Sequence, residues 1–222
     1  MENVILGEDG AIFGASPGSL IVDMSTISPA ATRNIAGSLS QNKIKMIDAP
    51  VSGGSEGAQN GTLAIMVGGE AADVQRAMPV LETMGKTITH VGPIGSGQIT
   101  KAINQIIIAG AYLSVAEGMV LGMKAGLDMQ KVVQAISGGA AGSWVLSNRA
   151  LNMVNNAYPL GFRVRLHHKD MRIALEAAKE LGVTMPAASL VDQIENGLIG
   201  RGYGDEDISA IARIVRELSG VT

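Results

Sequence analysis

The fold of this chain is decided around residues 92–104, which read GPIGSGQITKAIN. A short run rich in β-branched residues, 87–91, precedes the stretch, and the longest helical pattern in the chain, 98–125, follows it. The glycines between them allow the tight turn that such a connection needs. Lys101 and Asn104 stand three residues apart, so a helix places them on one face. The stretch predicts a strand, a turn, and a helix that carries a cation and an amide near its beginning.

On the N-terminal side of this stretch, short apolar runs alternate with helical patterns. The predicted strands are residues 20–24, 45–50, 63–67 and 88–91, and the predicted helices between them are residues 29–40 and 71–84. Such alternation is typical of α/β proteins, and the continuous apolar run at 20–24 favours a buried strand of a parallel sheet.

On the C-terminal side, every further pattern is helical. The predicted helices are residues 98–125, 128–137, 143–155, 162–181 and 186–199, with a last one from Asp205 or Asp207 to 218. The first of them is apolar on nearly all faces, which predicts that other helices surround it. We therefore predict an α/β domain over residues 1–96 and an all-α domain over residues 97–222.

Composition limits the classes of protein to consider. Of the 222 residues 46% are hydrophobic and 17% charged, which predicts a globular chain. Lys and Arg number 17 against 20 Asp and Glu, without a run of like charges, so nucleic-acid binding is not expected. Lys101 and Glu117 interrupt the apolar run of the long helix, which argues against a membrane span. Glu2 and Glu8 do not fit a signal peptide, and the absence of cysteine fits a cytoplasmic location.

The glycines of residues 95–97 follow a strand and precede a helix, as in a dinucleotide-binding fingerprint. The third glycine of that fingerprint would fall at Thr100, and no acidic residue follows at the end of a second strand. Two interpretations stay open, a turn that needs glycine dihedral angles and a segment that shapes a substrate pocket.

Residues 48–54, DAPVSGG, follow the predicted strand at 45–50, where ligands bind in open α/β sheets. Ser52 offers a hydroxyl group, and Gly53 and Gly54 offer unobstructed amides, a combination suited to a carboxylate. The alternative is an ordinary glycine turn.

Lys101 stands at the beginning of an otherwise apolar helix. The helix dipole and the distance from bulk water both favour the neutral amine, so this lysine is a candidate for proton transfer near neutral pH. The alternative is a surface lysine whose stem covers apolar neighbours.

His167 and His168 are adjacent, so on a helix their side chains point about 100° apart, and we expect no metal site there. Lys169 is placed to reach an anionic ligand, while Asp170 is expected to cap or pair locally.

Four segments occur in the order and at the separations seen in the β-hydroxyacid dehydrogenases. They are residues 23–26 (DMST), 48–54 (DAPVSGG), 97–104 (GQITKAIN) and 169–171 (KDM). The chain resembles that family, which includes 3-hydroxyisobutyrate dehydrogenase and tartronate semialdehyde reductase, over nearly its whole length. The resemblance implies part of a Rossmann-like sheet followed by a helical bundle like the C-terminal domain of 6-phosphogluconate dehydrogenase.

The resemblance also implies a chemistry, namely hydride transfer between NAD or NADP and a short 3-hydroxy or 3-oxo acid. Lys101 would then be the general acid and base. The other implied roles are substrate binding by Ser52, Gly53, Gly54 and Asn104, and cofactor contact by Thr26 and Lys169.

The sequence departs from the family pattern at its N-terminus, because only 22 residues precede Asp23 and the GxGxxG turn of the family is not among them. The first half of the nucleotide-binding domain is thus expected to be missing, which brings cofactor binding into question. A second interpretation therefore stays open, a non-catalytic oligomeric or ligand-binding remnant. A homo-oligomer, dimer or tetramer, is expected in either case, and a partner chain or a rearranged N-terminus is expected to cover the strand at 20–24.

Overall fold

The computed structural model describes residues 1–221, which pack as two compact units, Met1–Asn104 and a unit that begins at Gln105. The first unit contains α1 (Glu2–Leu6), α2 (Ala11–Gly14), β1 (Leu20–Asp23), α3 (Pro29–Gln41), β2 (Lys45–Asp48), β3 (Val51–Ser52), α4 (Gly54–Gln59), β4 (Leu63–Gly68), α5 (Ala71–Leu81), β5 (Gly85–Gly92) and the beginning of α6 (Ser96–Lys124). The second contains the rest of α6, α7 (Met129–Ser137), α8 (Trp144–Val154), α9 (Val164–Glu180), α10 (Pro186–Gly200), a 3-10 turn (Ile208–Ala210) and α11 (Ile211–Leu218). The predicted order, an α/β part followed by helices, is confirmed, while the exact boundary after residue 96 stays a prediction.

The sheet of the first unit has the order β1-β2-β4-β3, with β5 also paired to β4. β1 pairs with β2 and β4 pairs with β5 in parallel, whereas β2 and β3 both run antiparallel to β4. The parallel pairing predicted for the strand at 20–24 is confirmed, although the sheet as a whole is mixed. Only α4 and a turn connect β3 to β4, and a connection that short favours an antiparallel return over a parallel crossover.

β1 lies at one end of this sheet, and within residues 1–221 β2 is the only strand that pairs with it. α1 and α2 were not predicted, because they are too short to show a helical period. Ile5 of α1 and Ile35 of α3 are buried in one apolar cluster, against which Ile12 and Ile21 pack. The N-terminal helices thus help to cover apolar residues next to β1. A partner chain along its free edge stays a prediction.

α6 is less buried than its sequence indicated. On one side, Ala109, Tyr112 and Ala116 are buried in the main core of the second unit. On another side, Ile107 and Leu121 are 67% and 73% exposed, so the prediction that helices surround α6 was wrong for the single chain. By length and composition α6 is also long and apolar enough to cross a membrane, a property that it shares with core helices of soluble proteins.

Candidate active site

The beginning of α6 is fastened to the sheet by Asp48, the last residue of β2. Its carboxylate accepts hydrogen bonds from the backbone N–H of Gly95 (2.7 Å, to Oδ1) and of Gln98 (2.8 Å, to Oδ2). Asp48 is fully buried, and this burial raises the pKa of its carboxyl group, although the two backbone hydrogen bonds act in the opposite direction. A strand residue therefore satisfies two of the N–H groups that the first turn of a helix leaves without a partner.

Gly97 allows the helix to approach the sheet this closely. A Cβ atom at this position would overlap the carbonyl oxygen of Met66 and would lie 2.7 Å from Oδ2 of Asp48. Close packing is thus sufficient to explain Gly97, a reason that neither interpretation of the glycine turn had named. Gly95 has a φ of 88°, which glycine adopts without strain.

Gln98 connects α6 to the loop that follows β1. Its side chain is buried, with Nε2 donating to the carbonyl oxygen of Ser25 (2.8 Å) and Oε1 accepting from the N–H of Ile27 (3.2 Å). These bonds bracket Thr26, the residue for which the resemblance implies cofactor contact. The position of Thr26 is therefore set from α6.

Asp23 ends β1 next to Asp48 of β2 in the strand register. Its Oδ1 accepts from the N–H (2.9 Å) and the hydroxyl group (2.6 Å) of Ser25, whereas its Oδ2 is buried without a hydrogen-bond partner within residues 1–221. An orphaned carboxylate oxygen at the carboxyl end of a strand, beside an ordered loop, fits a site for a polar group of a dinucleotide.

Lys101 and Asn104 lie on α6 in the first unit. Lys101 is 8% exposed and Asn104 is half-buried, so the ammonium group stands away from bulk water, as the apolar neighbours of Lys101 indicated. The surface-lysine interpretation does not fit that burial. The catalytic role of Lys101 stays a prediction.

Ser52 is the last residue of β3, opposite Ala64 of β4. Gly53 and Gly54 follow with φ angles of 133° and 62°, both in the region that favours glycine. Gly54 begins α4, and Gly53 precedes it without a side-chain cap. The segment thus places a hydroxyl group beside two residues whose backbone conformation only glycine adopts readily. Carboxylate binding by this segment stays a prediction.

Lys169 lies on α9 in the second unit, where its Nζ is 3.0 Å from Oδ1 of Asp170. Asp170 is buried, and its Oδ2 accepts a hydrogen bond from Nε2 of Gln105 (2.7 Å). The local pairing expected of Asp170 is present. His167 and His168 pair with different carboxylates, Glu195 and Asp192.

Sequence reasoning had assigned no part to Asp48 or Gln98. The sequence offered one signal for each residue. Asp48 is a carboxylate at the end of an apolar strand, and Gln98 is an amide in the first turn of an apolar helix. Their hydrogen-bond partners lie 47 to 73 residues away along the chain, so the pairing itself was not readable.

The chain matches two family models and several known proteins. Residues 1–92 match the model of the NAD-binding domain of 6-phosphogluconate dehydrogenase, and residues 95–215 match that of the NAD-binding region of NADP-dependent 3-hydroxyisobutyrate dehydrogenase. An uncharacterised oxidoreductase of Bacillus subtilis is 42% identical over 96% of the chain and 74% of its own length. The 2-hydroxy-3-oxopropionate reductase of Escherichia coli is 39% identical over 96% and 73%.

A solved structure gives the same result. The 3-hydroxyisobutyrate dehydrogenase of Mycobacterium tuberculosis, solved with L-serine, is 33% identical, with a TM-score of 0.85 over 94% of the chain and 73% of its own. The fold and the matched regions together define an oxidoreductase that uses NAD or NADP. The chain belongs to the β-hydroxyacid dehydrogenase family, whose members include the 3-hydroxyisobutyrate dehydrogenases and the 2-hydroxy-3-oxopropionate reductases.

Proposed function

We propose that the chain transfers a hydride between NAD(P)H and the carbonyl carbon of a short 3-oxo acid. The 3-oxo acid is tartronate semialdehyde or the oxidation product of 3-hydroxyisobutyrate. The observation that carries this proposal is the burial of Lys101 at the beginning of a helix that Asp48 and Gln98 fasten to the sheet. NADH or NADPH, when bound, supplies the hydride.

Lys101 supplies the proton. As negative charge develops on the carbonyl oxygen, Nζ of Lys101 donates a proton to it, and the product is the hydroxy acid. Solvent then returns a proton to the amine. In the oxidation direction the same amine accepts the hydroxyl proton.

We assign the substrate carboxylate to Ser52, Gly53 and Gly54, with Asn104 holding a second polar group of the substrate. The hydroxyl group and the open backbone of residues 52–54 support this assignment. For the cofactor, Thr26 would contact the nicotinamide end and Lys169 an anionic or carbonyl group. The orphaned oxygen of Asp23 beside Thr26 fits a polar cofactor group.

A direct assay tests the proposal. The chain is mixed with NADH or NADPH and with tartronate semialdehyde or the 3-oxo acid formed by oxidation of 3-hydroxyisobutyrate, and oxidation of the reduced cofactor is followed by absorbance. We expect turnover with one pair. If neither reduced cofactor binds, by fluorescence titration, and no pair reacts, the chain is the non-catalytic remnant and the proposal fails.

The role of Ser52 has its own prediction. In Ser52→Ala we expect KM for the acid substrate to rise about tenfold, because a hydrogen bond to a carboxylate is worth about 1.5 kcal/mol or more. kcat should change far less. Ser55→Ala, three residues further on in α4, is the matched control. Equal KM values in Ser52→Ala and the wild type would remove Ser52 from the carboxylate site.

We further propose that the chain forms a homo-oligomer, dimer or tetramer, through the exposed stripe of α6. The stripe consists of the exposed Ile107, Ser114, Gly118 and Leu121 and the half-buried Gly110, at helical spacing. Small residues between two exposed large apolar side chains let a second helix approach closely, and burying the stripe removes apolar surface from water. A second copy of the chain is the occupant that we propose, because the small residues of one stripe can face those of the other across a two-fold axis.

The stripe predicts the effect of a single charge. Ile107→Glu should shift light-scattering mass toward the monomer at micromolar concentration, because an interface would bury that carboxylate without a partner. Val80→Glu places the same charge at another exposed apolar position and should leave the mass unchanged. A monomeric wild type would contradict the oligomer.

The cytoplasm is the location that we propose, and the absence of cysteine supports it.

A further inference from the structure

The second unit contains a polar cluster in its interior, where α6, α9 and α10 meet. Four of its side chains are at most 3% exposed, namely those of Gln105, His167, Asp170 and Glu195. Burying so many polar groups costs free energy unless they are bonded to one another. The proposed function uses Lys169 alone of this neighbourhood, so the cluster needs an explanation of its own.

His167 faces a hydrogen-bond acceptor on both sides of its ring. Its Nδ1 is 2.6 Å from Oε1 of Glu195, and its Nε2 is 3.3 Å from the carbonyl oxygen of Gln105. A neutral imidazole carries one N–H and one lone pair, so it satisfies one of these acceptors and opposes the other. A ring that carries both protons donates to both.

The charges of the cluster support a protonated ring. Glu195 and Asp170 bring two buried carboxylates, and Lys169 forms an ion pair with the second of them. An imidazolium at His167 supplies the counter-charge for Glu195, whose other oxygen, Oε2, is buried without a hydrogen-bond partner in the described chain. Without this counter-charge Glu195 would be an isolated buried carboxylate, which is costly.

The cluster connects His167 to Lys169 by two routes. Both residues lie on α9, two positions apart, and His167 also binds the backbone of Gln105, whose side chain donates to Asp170. Asp170 in turn holds Nζ of Lys169. The edge of the Phe162 ring packs on His167, with 6.1 Å between ring centroids, which fixes the imidazole further.

We propose that His167 and Glu195 form a buried imidazolium–carboxylate pair that fixes α9 against α6 and α10 and thereby positions Lys169 for the cofactor. His167 is a positioning residue and touches no reacting atom. The imidazolium rests on the acceptors that face both ring nitrogens, with Glu195 ionised, whereas the effect on the cofactor rests on the proposed role of Lys169.

The protonation state is tested by ¹⁵N NMR on the full chain labelled at histidine. Only His90, His167 and His168 contribute signals, so His→Gln variants assign them. We expect two proton-bearing ring nitrogens for His167, since a hydrogen-bond acceptor faces each of them. One protonated and one bare nitrogen would overturn the imidazolium. This readout needs neither cofactor nor turnover.

The positioning role is tested by Glu195→Gln, which keeps the size of the side chain and an acceptor for Nδ1 but removes the charge. We expect KM for the reduced cofactor to rise about tenfold, with kcat within about twofold, since a small misplacement of a binding group is costly. His168→Gln is the matched control. His168 pairs with Asp192 between the same two helices, and both side chains are 14% exposed.

Three outcomes of the kinetic test are distinguishable. A rise in cofactor KM with Glu195→Gln but not with His168→Gln supports the positioning role. A lower Tm with unchanged cofactor KM overturns it and leaves a structural pair. If the wild type shows no turnover and no cofactor affinity, the proposed function and the positioning role both fail, and the NMR result still decides the imidazolium.

Discussion

Lys101→Met is expected to lower kcat by about 10²–10⁴-fold while the fold is retained, because positioned proton transfer contributes a factor of that size. Methionine fills nearly the same volume as the lysine stem but has no proton to donate. The measurement is steady-state turnover of the reduced cofactor, with circular dichroism and Tm as the check on folding.

The matched control is Lys124→Met, the same substitution at the other end of α6. There Nζ makes an exposed hydrogen bond of 3.2 Å to the carbonyl oxygen of Ser219, so kcat should remain within about twofold. Lys101→Ala adds a sharper test. If Lys101 transfers the proton, added small amines should restore part of the rate. An unchanged kcat in Lys101→Met would remove the proton donor from the proposed mechanism.

Asp48→Ala should give the largest loss of stability, about 2–4 kcal/mol in the free energy of unfolding. The variant leaves the N–H groups of Gly95 and Gln98 without an acceptor inside the protein, and each such buried group costs about 1–3 kcal/mol. Urea denaturation measures the change. Glu70→Ala is the matched control, because Glu70 precedes α5 without a capping hydrogen bond and should change stability by less than about 0.5 kcal/mol.

The pH dependence of the same site has a definite sign. Burial raises the pKa of Asp48 in the folded state above its unfolded value of 3.8, so between these two values the folded chain binds the proton more readily. The stability of the wild type relative to Asp48→Asn, which does not titrate, should therefore fall as the pH rises through that window and level off above it. A relative stability that rises with pH would contradict the direction of the shift.

Sequence patterns predicted the longer helices and strands, because their periodicity and capping residues lie within the elements themselves. The predicted start of a helix at Pro29 is confirmed, and the Ser28 hydroxyl accepts there from the N–H of Ala31. The helix predicted from residue 128 begins directly after Asp128, whose carboxylate accepts from the N–H groups of Gln130 and Lys131. The short helices α1, α2 and α4 were missed because four to six residues show no period. The two-residue β3 was also missed, because Pro50 interrupts the pattern before it.

The candidate site likewise contains features that nearby residues predict and contacts that join distant segments. The apolar neighbours of Lys101 and the glycines at residues 53 and 54 are sequence-local features, and burial and dihedral angles agree with what they indicated. By contrast, the hydrogen bonds of Asp48 and the pairing of His167 with Glu195 join segments 28 to 50 residues apart. Such partners depend on tertiary packing, which no periodicity encodes. For the same reason the exposure of one side of α6 was not foreseen.

The bonds from Asp48 to α6 also limit how the chain can be recombined with its relatives. Asp48 stands at the start of the segment that ends in the proposed carboxylate site, yet its own carboxylate holds the helix that carries Lys101. A chimera with its crossover between residues 53 and 94 would take the two from different parents. Where the second parent places its helix even slightly differently, the crossover would break the capping bonds, although both segments would be intact. A crossover before residue 45 keeps strand, carboxylate and helix as one inherited block.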